Sequence, residues 1–572
     1  MSAVTPTIAA VPVAEVRRRL IEGLEIALVD LREEGPYSRA HPLFAVSVPL
    51  SRLELKILDL VPRRDAPIVL YDDGEGFVAR AAPILARLGY ADVRRLEGGL
   101  SGWRAAGGEV FQDVNVPSKA FGELVEHVRH TPSLPAPEVK ALIEAGADLV
   151  VLDARRFEEY RTMSIPTGTS VPGGELALRA RDLAPNPGTT IVVNCAGRTR
   201  SIIGTQSLIN NGVPNKVFAL RNGTIGWTLA GFELDHGAGR RAGEPSEASQ
   251  REARKSAEDL ATRAGVRGVD RATVALWRAE PSPGFTLYLL DVRSPEEYAA
   301  GHLAGFRSAP GGQLVQATDE WVGVRHGRIV LADDDGVRAS MTASWLRQLG
   351  WREVYVLEHI PLRSDRSERQ EYAQDIESGA ISDRPDDSIW SEGAPGGVGG
   401  EPLRTGADAP TLPPLPAASV AIAPAEFVAR LARGGISVVD LATSRQFAEG
   451  HVPGARFALR SGLAAALAQL PAGDEVALVS PDGVLARLAA PEAEALTGRP
   501  ALVLAGGTSA WRAEGRPLET GLGAPLSEPD DLYKRPYEGT DNATAAMQAY
   551  LDWEFGLVAQ LERDGTHGFF VL

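Results

Sequence analysis

Cysteine is almost absent from this chain, which has 572 residues and a single cysteine, Cys195. One cysteine cannot form an internal disulfide, so the chain is not a disulfide-stabilised scaffold. Scarce cysteine is also typical of proteins in a reducing compartment, and we expect a cytoplasmic location. Any sulfur chemistry of this chain must use one thiol and an acceptor supplied from outside.

Long apolar runs and an excess of positive charge are also missing. No stretch approaches the roughly 20 apolar residues that a membrane-spanning helix needs, and residues 1–12 lack the basic start and apolar centre of a signal peptide. The 59 basic residues are outnumbered by 75 acidic ones, for a net charge of −16. Such a chain binds nucleic acid and anionic membranes poorly, so we expect neither as a partner.

The main positive feature of the sequence is a pattern that occurs four times. In each copy a short helical segment precedes an apolar strand that ends in aspartate, at Asp30, Asp153, Asp291 and Asp440. A second apolar strand follows and leads to Asp72, Cys195, Asp333 and Ser480. Copies one, two and four close with a glycine-rich turn before tryptophan, at residues 97–103, 221–227 and 505–511. Residues 358–361 of the third copy have lost this turn.

Alternating strands and helices predict an α/β protein of four tandem domains, each a mostly parallel sheet flanked by helices. The nearly continuous apolar strands indicate sheets covered on both faces, whose ligand sites lie at the carboxyl ends of the strands. The predicted domains are residues 8–115, 130–236, 265–376 and 416–522, with a linker over 377–415 and a C-terminal tail over 523–572. The tail contains a predicted helix over 545–554, which we expect to dock on a domain or on another subunit of an oligomer.

Cys195 lies between an apolar strand, residues 191–194, and a small-residue loop that leads into a helix. A thiol at that place faces backbone N–H groups and a helix N-terminus, and both favour the thiolate. Gly197 permits backbone conformations that other residues resist. Arg198 and Arg200 supply permanent charge, which lowers the thiol pKa and can hold an anionic donor. The alternative, that Cys195 is only a small buried hydrophobe, is disfavoured by the loop and its arginines.

The combined order of these motifs resembles the rhodanese (thiosulfate sulfurtransferase-like) family. The motifs are the Asp-x-Arg openings, the Gly-His-x-x-Gly segments at 301–305 and 450–454, the Cys195 loop and the glycine-rich closing turns. The resemblance covers all four copies and implies a sulfurtransferase in which Cys195 carries a persulfide. It implies a small anionic donor such as thiosulfate and a thiol or cyanide as acceptor, and no cofactor or metal is expected. The implied substrate-binding residues are Ala196, Gly197, Arg198, Thr199 and Arg200.

Only the second copy has a suitable nucleophile at the cysteine position. Asp72, Asp333 and Ser480 stand there in the other copies, and we interpret those domains as inactive because a carboxylate or an unactivated hydroxyl does not carry a persulfide. The second copy also has residues 163–168 in place of Gly-His-x-x-Gly, so the mouth of its pocket is expected to differ. The acidic run 333–335 is interpreted as a solvated loop rather than a metal site.

Asp153 and Arg155 open the active copy and are the supporting residues of the predicted site. They either orient the loop and line the pocket, or form an internal salt bridge at the turn after the first strand, and we favour the salt bridge. Trp227 is expected to pack under the closing turn, and His302 and His451 are expected to stabilise turns.

Alternatives to a thiosulfate sulfurtransferase remain. The donor could be 3-mercaptopyruvate, since Ala196 and Gly197 partly resemble that branch of the family. The chain could instead be a persulfide carrier or scaffold whose inactive domains dock partners, including a sulfur-relay protein. A cysteine phosphatase or arsenate reductase is disfavoured because the loop between Cys195 and Arg200 is one residue shorter than a phosphate cradle. By analogy with two-domain family members, we expect the first domain to pair with the second, and the third with the fourth.

Overall fold

Four five-stranded sheets make up the fold, in a computed structural model that describes residues 8–279, 284–358, 403–416, 420–535 and 542–572. Every strand pair in the described sheets is parallel, and one strand order recurs in all four. Across each sheet, the strands that come first, fifth, fourth, second and third in the domain lie side by side. The prediction of four tandem α/β domains is therefore confirmed. Residues 377–402 of the predicted linker and 359–361 of the third closing turn lie outside the described residues.

The helices and strands follow the same sequence in each domain. The first domain contains β1 (Ala10–Val11), α1 (Val13–Glu22), β2 (Ala27–Asp30), α2 (Glu34–Arg39), β3 (Val46–Ser47), α3 (Leu53–Leu60), β4 (Ile68–Tyr71), α4 (Phe77–Arg87), β5 (Val93–Leu96) and α5 (Gly99–Ala105), and α6 (Val116–Arg129) follows it. The second contains β6 (Ser133–Leu134), α7 (Ala136–Glu144), β7 (Leu149–Asp153), α8 (Phe157–Thr162), β8 (Thr169–Ser170), α9 (Leu176–Leu183), β9 (Thr190–Asn194), α10 (Thr199–Asn210), β10 (Val217–Leu220) and α11 (Gly223–Leu229), and α12 (Glu247–Arg263) follows it.

The third domain contains β11 (Arg267–Val269), α13 (Arg271–Ala279), β12 (Leu287–Asp291), α14 (Pro295–Ala300), β13 (Arg307–Ser308), α15 (Gly311–Gln316), β14 (Arg328–Ala332), α16 (Arg338–Gln348) and β15 (Val354–Leu357). The fourth contains β16 (Val420–Ile422), α17 (Pro424–Arg433), β17 (Ile436–Asp440), α18 (Ser444–Glu449), β18 (Arg456–Phe457), α19 (Leu463–Leu467), β19 (Glu475–Val479), α20 (Val484–Thr497), β20 (Leu502–Leu504) and α21 (Gly507–Ala513). The tail contains α22 (Ala543–Phe555) and α23 (Leu557–Asp564). Four short 3-10 helices complete the description, at Leu50–Arg52, Gly173–Glu175, Thr318–Glu320 and Arg460–Gly462.

The central strands are apolar because both faces of each sheet are covered. In β9, Ile191, Val192 and Val193 are fully buried, and they contribute to two separate cores on opposite faces of the sheet. β-branched side chains favour such a strand because they pack well on a pleated, buried surface. The first strand of each domain has only two or three residues and was not predicted, because so short a run shows no periodicity.

The chain divides into two compact units, and this division corrects the predicted domain pairs. One unit contains the fourth domain and the first domain apart from nearly all of α1, within Met1–Val13, Ala27–Val114 and Pro410–Arg535. The other contains the second and third domains, within Ala14–Ile26, Asn115–Ala409 and Pro536–Leu572. The prediction that the first domain pairs with the second was wrong. The repeats have similar local patterns, and those patterns do not determine which apolar surfaces meet.

Within each unit the two domains share buried contacts. In the second unit a core joins helices of the second domain, the connecting helix and the third domain, through Ala177, Leu178, Ala253, Ala257, Leu260, Val337 and Met341. In the first unit, Glu33 of the first domain accepts hydrogen bonds from the hydroxyls of Ser51, at 3.0 Å, and Ser461 of the fourth, at 2.7 Å. Burial raises the pKa of Glu33 to about 7.

The turn that carries Gly-His-x-x-Gly has a conformation that favours glycine. Gly305 and Gly454 end these motifs at φ angles of 82° and 78°. Thr167 occupies the same place in the second domain, at a φ of 68°. A β-branched residue is strained in this left-handed region, so the departure of the second domain from the motif has a local energetic cost.

The two histidines of this motif stabilise their turns, as expected. His302 stacks on the ring of Tyr298 with centroids 3.8 Å apart, and His451 stacks on Phe447 at 3.7 Å. Each Nδ1 atom also lies 2.8 Å from the backbone carbonyl oxygen of that aromatic residue. Trp227 packs as expected, at 1% exposure, and its Nε1 donates to the carbonyl oxygen of Glu233 at 2.8 Å. Among the described helices, none combines the length and the apolar character needed to cross a bilayer.

Candidate active site

Cys195 directly follows β9, the central strand of the second sheet, which lies between β10 and β7. Helix α10 begins four residues later at Thr199, with Arg198 as its N-cap residue. The thiol therefore stands at the carboxyl end of a parallel strand and close to a helix N-terminus, where parallel α/β sheets place their ligands. Cys195 is only 2% exposed.

The glycine-rich closing turn holds the loop that contains Cys195. The backbone N–H of Thr224 donates to the carbonyl oxygen of Cys195 at 2.9 Å, and the N–H of Ile225 donates to that of Ala196 at 3.0 Å. Gly223 has a φ of 55°, and a Cβ there would overlap the carbonyl oxygen of Cys195. Glycine is required at this place because the turn and the loop approach each other backbone to backbone.

A backbone N–H six residues further along reaches the side chain at the cysteine position. In the domains without cysteine, Asp72 accepts from Val78 at 3.1 Å, Asp333 from Ala339 at 2.9 Å and Ser480 from Ala486 at 3.2 Å. In the second domain Ser201 stands at this place; it lowers the pKa of the Cys195 thiol, and its hydroxyl donates to the carbonyl oxygen of Arg198 at 2.7 Å. The loop thus provides a backbone donor for an acceptor at this position in the three domains without cysteine. Ser201 was not predicted, although its equivalents could have been found by aligning the copies.

The pKa of the Cys195 thiol differs from the expectation. Burial raises this pKa, and the charge of Arg200 and the hydrogen bonds from Ser201 only partly oppose that effect. Glu554, from the C-terminal tail, raises the pKa further. The predicted lowering of the pKa is present for Arg200 and for the loop residue Ser201, but desolvation of the buried thiolate outweighs it, so the pKa is raised overall.

Arg200 is the arginine that acts on the thiol. Its positive charge lowers the pKa of Cys195. Its guanidinium also forms a forked ion pair with Glu159 on α8, at 2.7 Å and 3.0 Å. The ion pair orients Arg200 beside the sulfur, and its role in binding a donor stays a prediction.

Arg198 is directed toward α6. Its Nε and Nη2 donate to Glu123 at 2.7 Å and 2.9 Å, and it also forms an ion pair with Glu126. Its Nη1 donates to Asn222 at 3.1 Å, and its Cζ lies 4.2 Å from the centroid of the Phe555 ring. The guanidinium therefore binds two carboxylates and packs on an aromatic ring. The sequence had predicted that it would hold an anionic donor together with Arg200.

The remaining loop residues contact other elements. Gly197 has no positive φ, so the expectation that it provides unusual backbone freedom was wrong. Its missing side chain instead leaves room for α22: a Cβ there would lie 3.4 Å from Cε1 of Tyr550 and 3.5 Å from Oε2 of Glu554. Thr199 packs against α6: a Cβ added at Gly122 of that helix would lie 3.0 Å from Cγ2 of Thr199.

Helix α22 of the C-terminal tail packs on the loop at Gly197, so the tail docks on a domain of its own chain. Glu554 is 1% exposed, and the hydroxyl of Tyr550 donates to its Oε1 at 3.0 Å. Its Oε2 has no hydrogen-bond partner in the described part of the chain. Burial raises the pKa of Glu554 to about 8. No sequence signal places a residue 359 positions beyond Cys195 beside it; aromatic spacing in the tail indicated only that the helix docks.

Asp153 and Arg155 form the internal salt bridge that we favoured. Nε and Nη2 of Arg155 donate to the carboxylate of Asp153 at 2.9 Å and 2.7 Å, and Nη2 also donates to the carbonyl oxygen of Met163 at 2.6 Å. The same fork joins Asp30 to Arg32 and Asp291 to Arg293 in domains without cysteine. Because the pair recurs in domains where no thiol is present, we infer that it stabilises the turn after this strand.

The acidic run of the third domain is not a solvated loop. Asp333 and Asp335 are only 5% and 3% exposed. Asp334 and Asp335 form ion pairs with Arg338, at 2.7 Å and 2.5 Å. The prediction was wrong because the run is buried and Arg338, in the following helix, turns inward to pair with Asp334 and Asp335.

Several comparisons agree with this architecture. The profile of the rhodanese-like domain matches residues 13–106, 135–230, 275–359 and 423–514. A solved structure described as thiosulfate sulfurtransferase from Pseudomonas aeruginosa is 53% identical, with a TM-score of 0.90, and the match covers 99% of this chain and 100% of that chain. A thiosulfate sulfurtransferase of Azotobacter vinelandii is 26% identical over 216 residues, or 31% of this chain and 79% of that protein. A putative thiosulfate sulfurtransferase of Mycobacterium tuberculosis is 33% identical over 126 residues, or 20% of this chain and 43% of that protein.

The fold and the site define a class of parallel α/β domain in which a cysteine directly follows the central strand and begins a loop leading to a helix. The four profile matches cover well over half of the chain. This chain belongs to the rhodanese family, with four rhodanese-like domains, of which the second contains the cysteine.

Proposed function

We propose that the protein is a sulfurtransferase that moves a sulfane sulfur from thiosulfate, or a similar anionic donor, to a thiophilic acceptor through a persulfide on Cys195. The observation that carries this proposal is the position of the Cys195 thiol after β9 and before the N-terminus of α10, where Arg200 and Ser201 both lower its pKa. Positive charge and donor groups at such a place stabilise an anionic sulfur. The similarity to proteins described as thiosulfate sulfurtransferases supports the choice of donor.

In the first step, the thiolate of Cys195 attacks the outer sulfur of thiosulfate. A bond forms between Sγ and that sulfur, the sulfur–sulfur bond of thiosulfate breaks, and sulfite leaves with the bonding electron pair. Sulfite is a stable anion, so the step needs no general acid. Arg200 and Ser201 stabilise the negative charge on sulfur before and after the transfer.

In the second step, the acceptor attacks the outer sulfur of the persulfide. Cyanide becomes thiocyanate, or a thiolate becomes a new persulfide, and the bond between the two sulfurs of the enzyme persulfide breaks to regenerate the Cys195 thiolate. We propose the cytoplasm as the location, since it supplies thiol acceptors and since a chain with one cysteine suits a reducing compartment.

The intact mass of the full chain tests this proposal. The protein is incubated with thiosulfate, desalted, and compared with Cys195→Ala. A gain of one sulfur atom in the wild type alone is the expected result. A gain only with 3-mercaptopyruvate would replace thiosulfate as donor, and no gain with either donor would contradict the proposed function.

A persulfide carrier is the second candidate, and it is favoured by the burial of Cys195 and by the packing of α22 on the same loop at Gly197. A partner protein that displaces this helix would reach a thiol that small molecules reach slowly. Rapid exchange of a persulfide with a protein partner, together with slow turnover of small donors, would support the carrier over the enzyme.

A further inference from the structure

We propose that Glu554 is a specificity-determining residue of the Cys195 site: its carboxyl group, presented by α22, discriminates between anionic and cationic sulfur compounds at the loop. This inference rests on the proposed function, because it concerns which sulfur compounds reach the thiol. In its protonated form Glu554 admits an anionic donor, and in its ionised form it repels one.

The geometry places this carboxyl group against the loop. The Oε2 atom of Glu554 is 3.5 Å from the point where a Cβ of Gly197 would stand. Glu554 is 1% exposed, and this oxygen has no hydrogen-bond partner among the described residues. A buried, unpaired carboxyl oxygen is costly and is rarely kept without a role. Glu554 also raises the pKa of the Cys195 thiol, so its charge acts on the sulfur.

Several charged and titratable groups act on Glu554 and set its ionisation. They are Lys119 and Glu123 on α6, Arg198 and Cys195 on the loop, and Tyr550 on α22 itself. Burial is the largest influence and raises the pKa of Glu554 to about 8, with Glu123 acting in the same direction and Lys119, Tyr550 and Arg198 opposing it. Arg198 is already paired with Glu123 and Glu126, so it offers Glu554 little neutralisation. The carboxyl group is therefore mostly protonated at neutral pH and ionises in mildly alkaline solution.

The single cysteine makes a direct test available. Two methanethiosulfonate reagents, one with a sulfonatoethyl group and one with a trimethylammonioethyl group, react with the thiolate by the same chemistry. The thiolate forms a disulfide with the reagent's sulfenyl sulfur, and methanesulfinate leaves with the electron pair. The ratio of the two labelling rates therefore cancels the thiolate fraction and any opening of α22, and it leaves the effect of charge near the thiol.

The ratio is measured on the full chain from about pH 6.5 to about pH 9.5, on either side of the Glu554 pKa of about 8. In the wild type, we expect the preference for the cationic reagent to grow by roughly fivefold over this range, as ionised Glu554 attracts one reagent and repels the other. In Glu554→Gln the preference is expected to stay nearly constant. The rate of persulfide formation from thiosulfate is expected to fall less at high pH in the variant than in the wild type.

Asp552→Asn is the matched control, because Asp552 is an exposed carboxylate on the same helix. It is expected to behave as the wild type. A flat ratio in the wild type overturns the proposal without any variant, as does an equal pH dependence in the wild type and Glu554→Gln. A control that matches Glu554→Gln would assign the effect to the general charge of the tail and would also overturn it.

The outcomes separate this proposal from the proposed function. Labelling requires only the Cys195 thiol, whereas sulfur transfer requires a donor. A pH-dependent ratio without persulfide formation would contradict the proposed function and leave the charge discrimination by Glu554 established. Persulfide formation with a pH-independent ratio would support the proposed function and overturn the charge discrimination by Glu554.

Discussion

Arg198 donates two hydrogen bonds to the carboxylate of Glu123, from Nε at 2.7 Å and from Nη2 at 2.9 Å. The two side chains are 3% and 5% exposed. This pair ties the loop after Cys195 to α6, the helix that precedes the second domain. A buried ion that loses its partner is strongly destabilising, so the fork fixes the position of the loop.

Removing this ion pair should affect stability more than donor binding. For Arg198→Gln we expect the melting temperature to fall by about 5–10 °C, because Glu123 is left buried without its cation. Calorimetry checks the change, and steady-state kinetics with thiosulfate should show at most a small rise in KM. The double variant Glu123→Gln/Arg198→Gln should regain much of the lost stability. A large rise in KM with no loss of stability would instead assign Arg198 to donor binding.

Arg200 should control the reactivity of the thiol. Its charge lowers the pKa of Cys195, so Arg200→Gln is expected to raise that pKa and to slow alkylation by iodoacetamide at neutral pH roughly 3–10-fold. The rate is measured across pH to obtain the thiol pKa. Arg221→Gln, which changes an exposed arginine on the closing turn, is the control and should leave the pKa unchanged. An unchanged pKa in Arg200→Gln would contradict the role given to this charge.

Glu33 should make the first unit sensitive to pH. Burial raises its pKa to about 7 in the folded chain, above its ordinary value. The folded state therefore binds a proton more tightly than the unfolded state, and stability that is present in acid is lost as the pH rises through about 7. Between pH 5 and 8, we expect the melting temperature of the wild type to fall by on the order of 5 °C more than that of Glu33→Gln.

Calorimetry at both pH values measures this difference, and Glu97→Gln provides the control on an exposed carboxylate of the same domain. Equal pH dependence in the wild type and Glu33→Gln would show that Glu33 ionises normally between Ser51 and Ser461.

Thr167 should be a site where glycine stabilises the fold. Its φ of 68° is unfavourable for a β-branched residue, whereas Gly305 and Gly454 occupy the same turn position at 82° and 78°. Thr167→Gly is expected to increase the free energy of unfolding by about 1 kcal/mol. The reverse change, Gly454→Thr, should destabilise the fourth domain through backbone strain alone. A Cβ at this position would meet no atom within 4 Å, so no steric clash adds to the effect. A lower melting temperature in Thr167→Gly would mean that contacts of the threonine side chain exceed its backbone strain.

The local features of the sequence predicted much of the candidate site. Apolar strands that end in a polar residue placed Cys195 and its counterparts, Asp72, Asp333 and Ser480, at the carboxyl ends of central strands. These predictions succeed because strand periodicity and loop position depend on residues near in sequence. The same reasoning gave Arg198 and Arg200 one shared role, because it could see their charges but not the carboxylates of Glu123 and Glu159 that orient them.

By itself, the sequence determined the number of repeats, their α/β class and the position of the one thiol, since each follows from patterns within about a hundred residues or from composition. Only the tertiary structure decided that the second domain packs with the third, and that Glu554 lies over the Cys195 loop. Only the structure decided that the thiol pKa is raised. These outcomes depend on which apolar surfaces meet and on how deeply charges are buried. The local spacing of residues determines neither of these.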